Sequence, residues 1–347
     1  MSFLQKALAF STVLASLGGA HAKLDVNAAD NVVVYWGQNS AGLGQLPLAD
    51  YCKDPNIDVI VMAFLMQVDG RGGVPEYDLS VATDDCPVFE GTGLKNCPAV
   101  GEDITTCQNE GKTILLSLGG ATYTEGGFPS DSAAVDGAHV IWETFGPPKS
   151  GSSAYRPFGN ASIDGLDIDF ETTVTNTLTF AQELRKTMDS DGSDRPRFLT
   201  AAPQCPYPDL ADQDILHGDV KVDAIWVQFY NNYCGLDSFQ PGAETQQKFN
   251  FATWDNWAKN VSYNPDVRVM MGVPAGPTAA GSGYTPPGEL TPMIQYAKTF
   301  DSFGGVMMWD VTQAYANEGF LDAVNSALRS SASRVMRSVV GLRGRFF

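Results

Sequence analysis

The chain has 347 residues, of which 44% are hydrophobic and 18% are charged. This composition is typical of a packed globular protein and excludes an extended disordered one. The net charge of −18 makes nucleic acid and anionic membranes unfavourable partners, whereas an uncharged polymer stays compatible with such a surface.

The first 22 residues are organised like a secretory signal peptide. Lys6 precedes an apolar run over residues 7–17, and small residues then lead to Ala20-His21-Ala22. An apolar core of this length is too short to span a bilayer, and the A-x-A ending is typical of a cleavage site. We therefore expect residues 1–22 to be removed and the protein to be secreted, to the medium or the cell wall, without a membrane span. A buried N-terminal helix is the alternative.

Eight short apolar segments follow, with polar or helical stretches between them. Most are too continuously apolar to expose one face, which is typical of parallel strands covered on both sides. Two separating stretches, 177–188 and 254–261, have the spacing of amphipathic helices. This alternation predicts a single (β/α)8 TIM barrel over residues 23–328. A doubly wound sheet, the alternative, usually carries a Gly-rich phosphate loop, which this sequence lacks. The eight segments are 32–36, 59–64, 113–118, 165–170, 198–202, 224–230, 267–273 and 305–309.

Six cysteines and two N-x-S sequences bear on processing. An even number of cysteines in an exported chain indicates three disulfides, but the sequence alone allows fifteen pairings. With no CxxC pair and three histidines, we expect neither a metal site nor a cofactor. Asn160 and Asn260 are expected glycosylation sites because the chain is exported. Residues 329–347 hold five arginines and no acid, which indicates a solvated basic tail, with a binding element as the alternative.

The strongest local signal is the acidic segment Asp164–Glu171, which reads DGLDIDFE. On a strand, residues two apart share a face, so Asp167, Asp169 and Glu171 project together and the intervening apolar residues project oppositely. In a barrel, the acids would then point into the lumen, with Asp164 fixing the start of the strand. Mutual repulsion raises the pKa of at least one carboxyl, which keeps it protonated for acid catalysis. An ion-pair network or a calcium site is the alternative.

This segment matches the DGxDxDxE signature of family 18 glycoside hydrolases, and the chain resembles the class III, plant- and fungal-type chitinases of that family. Residues 117–120, which read SLGG, resemble the SxGG motif of its third strand. Four further segments resemble the family in the same order, namely 35–39, 201–206, 226–232 and 305–309. The family fold is a (β/α)8 barrel, in agreement with the strand pattern.

The resemblance implies a retaining, substrate-assisted hydrolysis of β-1,4-linked N-acetylglucosamine polymers, endo-acting rather than exo-acting. Glu171 would protonate the glycosidic oxygen and later act as base for water. The acetamido oxygen of the substrate would attack the anomeric carbon, with Asp169 orienting the acetamido N–H. Asp167 would share a proton with Asp169, and the Tyr230 hydroxyl would brace the acetamido oxygen.

The resemblance also assigns substrate-binding side chains. Trp309 would be the floor on which the reacting sugar stacks, and Tyr35, Gln38 and Gln228 would contact sugars. For Tyr230 and Trp309, packing in the core is the alternative. Asp310 stands where plant relatives often carry a smaller polar residue, so we expect an additional carboxylate near the cleft that alters the pH dependence.

The resemblance selects one cysteine pairing, Cys52–Cys107, Cys86–Cys97 and Cys205–Cys234. It implies a monomer whose partner is chitin or N-acetylglucosamine oligomers. Three alternatives stay open: an inactive chitin-binding lectin or inhibitor of the same fold, an endo-β-N-acetylglucosaminidase acting on N-glycans, and lysozyme-like action on peptidoglycan. Inactive members usually lack the acid or its neighbouring aspartates, all of which are present here.

Overall fold

The computed structural model describes residues 24–42 and 44–330. The expected signal peptide lies outside these residues, as does most of the expected basic tail. Arg329, where that tail was expected to begin, is the last residue of the last helix within the described residues. The strands are β1 Asn31–Trp36, β2 Val59–Gln67, β3 Glu76–Tyr77, β4 Thr113–Gly119, β5 Gly165–Asp169, β6 Phe198–Ala201, β7 Ala224–Gln228, β8 Arg268–Pro274 and β9 Phe303–Trp309. The helices are α1 Leu48–Cys52, α2 Pro98–Asn109, α3 Asp131–Phe145, α4 Thr177–Asp189, α5 Gln213–Leu216, α6 Phe251–Asn260, α7 Pro287–Ala297, α8 Val311–Ala316 and α9 Phe320–Arg329.

Within the described ranges, eight parallel strands close into a barrel. Each of β1, β2 and β4 to β9 pairs with the next strand around the ring, and β9 pairs with β1, where Val33 lies opposite Met307. The predicted (β/α)8 fold is confirmed. The short β3 was not predicted; it pairs antiparallel with the end of β2, outside the ring.

The strands are apolar on both faces because one face fills the barrel and the other packs against the helices. The interior cluster includes Val33, Val61, Leu115 and Trp226. The outer cluster includes the apolar residues of the acidic segment, as strand parity predicts; these are Leu166, Ile168 and Phe170. Burying such side chains supplies about 1.5–3 kcal/mol each.

The segment before β1 closes the amino end of the barrel. Leu24 is buried among the interior residues, and its N–H donates to Thr113 Oγ1 over 3.0 Å. Asn160 and Asn260 are both exposed, and each precedes the start of a strand, β5 and β8 respectively. Both expected glycosylation sites therefore lie at this amino end, away from the carboxyl ends of the strands.

The three disulfides join the cysteine pairs that the resemblance implied. Cys52–Cys107 links α1 to α2, and Cys86–Cys97 closes the loop before α2. Cys205–Cys234 links the loops that follow β6 and β7. Each stabilises the fold by about 2–4 kcal/mol. None of the helices in the described part of the chain is long and apolar enough to cross a membrane.

Candidate active site

A cavity of about 290 Å³ opens at the carboxyl ends of the barrel strands. This is the end at which loops of (β/α)8 barrels carry functional groups. Its walls combine acids, amides and aromatic rings, which suits a polar ligand with apolar faces. The walls include Tyr35, Gln38, Phe64, Asp169, Glu171, Gln204, Gln228, Tyr230, Asn231, Asn232 and Trp309.

Strand β5 brings the three predicted acids to one side of the cavity. Asp167 is fully buried, Asp169 is 3% exposed, and Glu171, just past the strand end, is half-buried. Asp164 anchors the strand start as expected: its Oδ2 accepts from the Ile114 N–H over 2.9 Å, and its Oδ1 accepts from Arg195 Nε over 2.7 Å. Asp167 is therefore the deepest of the three acids, and Glu171 is the one nearest to solvent.

Asp167 is enclosed by hydroxyl donors below the cavity. Its Oδ2 accepts from the Tyr35 hydroxyl and from Ser117 Oγ, each over 2.6 Å, and its Oδ1 accepts from Thr200 Oγ1 over 2.8 Å. Burial raises the pKa of Asp167, and these donors partly oppose that shift. Because Trp226 Nε1 donates to the same Tyr35 hydroxyl, that hydroxyl is engaged in the barrel, and Tyr35 turns only its ring towards the cavity.

Asp169 lies one layer higher and is fixed by Gln228. Gln228 Nε2 donates to Asp169 Oδ1 and to the Ala202 carbonyl oxygen, each over 2.9 Å. Burial raises the pKa of Asp169 well above its ordinary value, and the charges of Glu171 and Asp167 add to the rise. Burial also raises the pKa of Glu171. Both groups are therefore biased towards holding a proton.

The SLGG segment shapes this arrangement through close backbone approach. Gly119 has a φ of +126°, and a Cβ there would lie 2.1 Å from the Asp169 carbonyl oxygen. The Gly120 N–H donates to that same oxygen over 2.7 Å, and a Cβ on Gly120 would lie 2.7 Å from the Phe64 ring. The two glycines are thus required because β5 and Phe64 occupy the space of their side chains.

Aromatic rings form another wall of the cavity. The Trp309 ring stacks on Phe64 with centroids 5.8 Å apart and lies 5.4 Å from the Tyr35 ring. Tyr230 lines the cavity and is 7% exposed. Gln38 Nε2 donates to the Ala63 carbonyl oxygen over 2.8 Å, which fixes its amide at the rim. The structure therefore brings all eight predicted side chains to this end of the barrel, with Asp167 beneath the cavity.

Comparison with known proteins identifies the family. The sequence matches Glycosyl hydrolases family 18 over residues 31–282. This chain belongs to glycosyl hydrolase family 18.

Close relatives of this family 18 member cover nearly its whole length. A class III chitinase of Arthroderma benhamiae is 50% identical over 338 residues, covering 97% of this chain and 97% of that protein. Endochitinase 33 of Trichoderma harzianum is 46% identical over 324 residues, covering 92% and 98%. A solved structure of a xylanase and alpha-amylase inhibitor protein from Scadoxus multiflorus has a TM-score of 0.70 at 29% identity, covering 86% of this chain and 99% of that one.

The sequence assigned no role to two residues, Phe64 and Asn231, that support the site of this family 18 protein. In the sequence, Phe64 was assigned only to a predicted strand. Its position at the carboxyl end of that strand could have indicated a place in the cavity wall. Asn231 has a φ of +56°, and its Oδ1 accepts from the N–H groups of Gly281 and Ser282 over 2.8 and 3.2 Å. It thereby holds the loop after β8 beside Tyr230.

Asp310 has a different position from the one expected. It is buried and caps α8, with Oδ1 accepting from the Gln313 N–H over 3.0 Å. Its Oδ2 accepts from the Ser40 N–H over 3.0 Å, which ties down the loop after β1. Both oxygens thus hold backbone rather than face the cavity.

Across residues 24–42 and 44–330, no group of three or more His, Cys, Asp and Glu side chains is arranged to hold a metal ion.

Proposed function

We propose that this protein is a secreted chitinase that hydrolyses β-1,4-linked N-acetylglucosamine polymers with retention, by substrate-assisted catalysis. Its similarity to named chitinases over nearly the whole chain supports the substrate class. The observation that carries the mechanism is the alignment of Asp167, Asp169 and Glu171 on one face of β5, with Glu171 the most exposed.

Glu171 is the proposed general acid. A carboxyl that lies half-buried at the cavity wall, with a raised pKa, keeps its proton at a pH where an exposed glutamate has lost it. It then donates that proton to the glycosidic oxygen as the bond breaks. In the second half of the reaction, the same carboxylate takes a proton from the attacking water.

Asp169 is the proposed partner of the acetamido group. Gln228 engages Oδ1, which leaves Oδ2 to accept from the acetamido N–H and hold the acetamido oxygen against the anomeric carbon. Positive charge that develops on the acetamido group is stabilised by this carboxylate. Asp167, directly below on the same strand face, shares a proton with Asp169, so the pair titrates as a unit.

Tyr230 and Trp309 complete the subsite for the reacting sugar. The Tyr230 hydroxyl donates to the acetamido oxygen from the side opposite Asp169. The Trp309 ring, supported from behind by Phe64, offers an apolar surface to the sugar face. Gln38 and the Tyr35 ring bound the subsite. This mechanism needs an N-acetyl group on the reacting sugar, which favours chitin over cellulose or xylan.

Inhibition of other enzymes is the second candidate function, because a named inhibitor protein shares the fold. An inactive protein of this fold usually has lost an acid or closed its cleft. Here the acids are present and the cavity opens to solvent. These features favour the hydrolase.

Secretion has its own support. Residues 1–22 have the sequence of a signal peptide, and three disulfides suit an oxidising compartment. We place the protein in the medium or the cell wall, as a monomer, with glycans at Asn160 and Asn260. Glycans there would lie at the amino end of the barrel and leave the cavity clear.

The test compares wild type, Glu171→Gln and Glu110→Gln on N-acetylglucosamine oligomers and on chitosan without N-acetyl groups. Glu110 is exposed at the end of α2, at the amino end of the barrel, and serves as the matched control. We expect cleavage of oligomers only, loss of turnover in Glu171→Gln, and full turnover in Glu110→Gln. Undiminished turnover by Glu171→Gln would reject the acid, and equal turnover of chitosan would reject the mechanism. Binding without cleavage by wild type would favour the inhibitor or lectin.

A further inference from the structure

Two buried acids on the loop after β6 have no part in the mechanism above. This loop, residues 202–212, leaves the barrel next to β5, where the Ala202 N–H donates to the Ile168 carbonyl oxygen over 2.8 Å. It carries Gln204 into the cavity wall and then folds back through Asp209 and Asp212. Both acids are buried, Asp212 completely.

The two acids differ in how many backbone N–H groups stabilise their ionised forms. Asp209 accepts three backbone N–H groups: Oδ2 from Gln204 over 2.8 Å, and Oδ1 from Ala211 and Asp212, each over 2.9 Å. Burial raises the pKa of Asp209, but these donors oppose that shift. A carboxyl whose two oxygens both accept from backbone amides is stabilised in its ionised form.

Asp212 is placed for the neutral form. Both its oxygens are buried and make no hydrogen bond of ordinary geometry, and they do not cap α5 although Asp212 stands at the N-cap. Burial raises its pKa well above the ordinary value, and the charges of Asp209, Asp169 and Asp167 raise it further. The nearby Phe170 backbone amide opposes this only in part. Of the two acids, Asp209 is therefore the one whose ionised form the folded loop stabilises, through three backbone N–H groups.

Asp209 lies behind the wall of the cavity that Glu171 lines, because its Oδ2 accepts from the backbone N–H of Gln204, which lines the same cavity. The titratable groups whose charges are coupled to Glu171 are Asp169 at the end of β5, Tyr230 after β7, and Asp209 on the loop after β6. After burial, the charge of Asp209 is the cause that raises the pKa of Glu171. Asp169 shares a proton with Asp167 in the proposed mechanism, so Asp209 is the acid near Glu171 whose charge is held by backbone donors alone.

We propose that Asp209 is a positioning residue for the general acid, whose charge, fixed by three backbone N–H groups, keeps the proton on Glu171. This inference rests on the proposed function, because it gives Glu171 the role of acid. Asp209 touches no reacting atom in this scheme. It sets the upper pH limit of activity.

The test is the pH dependence of kcat on N-acetylglucosamine oligomers for full-length Asp209→Asn, Asp212→Asn and Asp214→Asn. Asp214 is exposed on α5 and is the matched control. Removing the charge at 209 lowers the pKa of Glu171, so we expect the alkaline limb of Asp209→Asn to move to lower pH. Relative to wild type, the kcat of Asp209→Asn is then reduced severalfold more at pH values on the alkaline limb than on the acidic plateau. Asp212→Asn and Asp214→Asn keep the wild-type limb.

A purely structural role for Asp209 would give a different result, with kcat lower or KM higher at every pH and the limb unmoved. That outcome overturns the proposal, as does an equal shift in Asp212→Asn. An inactive wild type, or a fully active Glu171→Gln, would instead reject the proposed function itself.

A second set of three variants leaves the buried hydrogen bonds intact. Leu210, beside Asp209, is 81% exposed, so its side chain is free to change. We expect Leu210→Lys to move the alkaline limb to lower pH and Leu210→Glu to move it to higher pH, with Leu210→Gln unchanged. Shifts in the same direction, or none in either charged variant, would overturn the proposal even where Asp209→Asn does not fold.

Discussion

Replacing Gly119 with alanine tests whether the SLGG segment serves to seat β5. The added Cβ would lie 2.1 Å from the Asp169 carbonyl oxygen, whereas real Cβ contacts are essentially never under 3.0 Å. The end of β5 must therefore move by about 1 Å, since 3.0 − 2.1 is 0.9. Asp169 and Glu171 move with it.

The magnitude follows from two costs. A φ of +126° is strained for alanine, at about 1–3 kcal/mol, and forced displacement in a packed region adds about 1–3 kcal/mol. A displacement of about 1 Å in catalytic groups costs about 10²-fold in rate. We expect Gly119→Ala to lose about 3 kcal/mol of unfolding free energy and about 10²-fold in kcat.

Gly126→Ala, on the loop that follows β4, is the matched control. Gly126 also has a positive φ, +76°, but a Cβ there meets nothing within 4 Å. It should lose only about 1 kcal/mol and keep its kcat. Urea unfolding and oligomer hydrolysis measure both variants. If the two variants behave alike, strain rather than contact with β5 explains the glycine, and the reasoning is refuted.

Three further predictions follow from other parts of the site and barrel. Tyr230→Phe should lower kcat about 10²-fold with unchanged urea unfolding, because it removes only a donor to the acetamido oxygen; unaltered kcat would contradict that role. Asp169→Asn should unfold at a higher urea concentration than wild type at pH 7, but at the same concentration below about pH 3. The reason is that the raised pKa of Asp169 destabilises the fold only above the ordinary pKa of aspartate, where the unfolded chain has lost the proton. A gain in unfolding free energy that persists at low pH would contradict this reasoning. Leu24→Ala should lose about 2–4 kcal/mol in urea unfolding by opening a void in the amino end of the barrel, and a loss near zero would count against that packing.

The barrel and its acids were predictable because their signals are local. A strand covered on both faces must be apolar throughout, so eight apolar runs sufficed to predict the ring. Strand parity placed Asp167, Asp169 and Glu171 on one face without knowledge of their neighbours. The bounds were also close, since the predicted helix 177–188 is Thr177–Asp189 in the structure.

The supporting residues were less predictable because their roles depend on contacts between distant segments. Tyr35 was expected to contact sugar, yet its hydroxyl bonds to Asp167, which lies 132 residues away in sequence. The charge at Asp209 depends on three amides that only the folded loop brings together. No pattern within one segment encodes such a partner.

The pairing of β1 with β9 has a consequence for how the protein is made. These strands lie at opposite ends of the chain, so the ring cannot close until Phe303–Trp309 has been synthesised. Until then a nascent chain presents unpaired strand edges at β1 and at the last strand formed, and such edges favour association between chains. Truncation before β9 would leave both edges exposed permanently. Folding of this chain without association therefore depends on keeping incomplete barrels apart from one another until β9 has been synthesised.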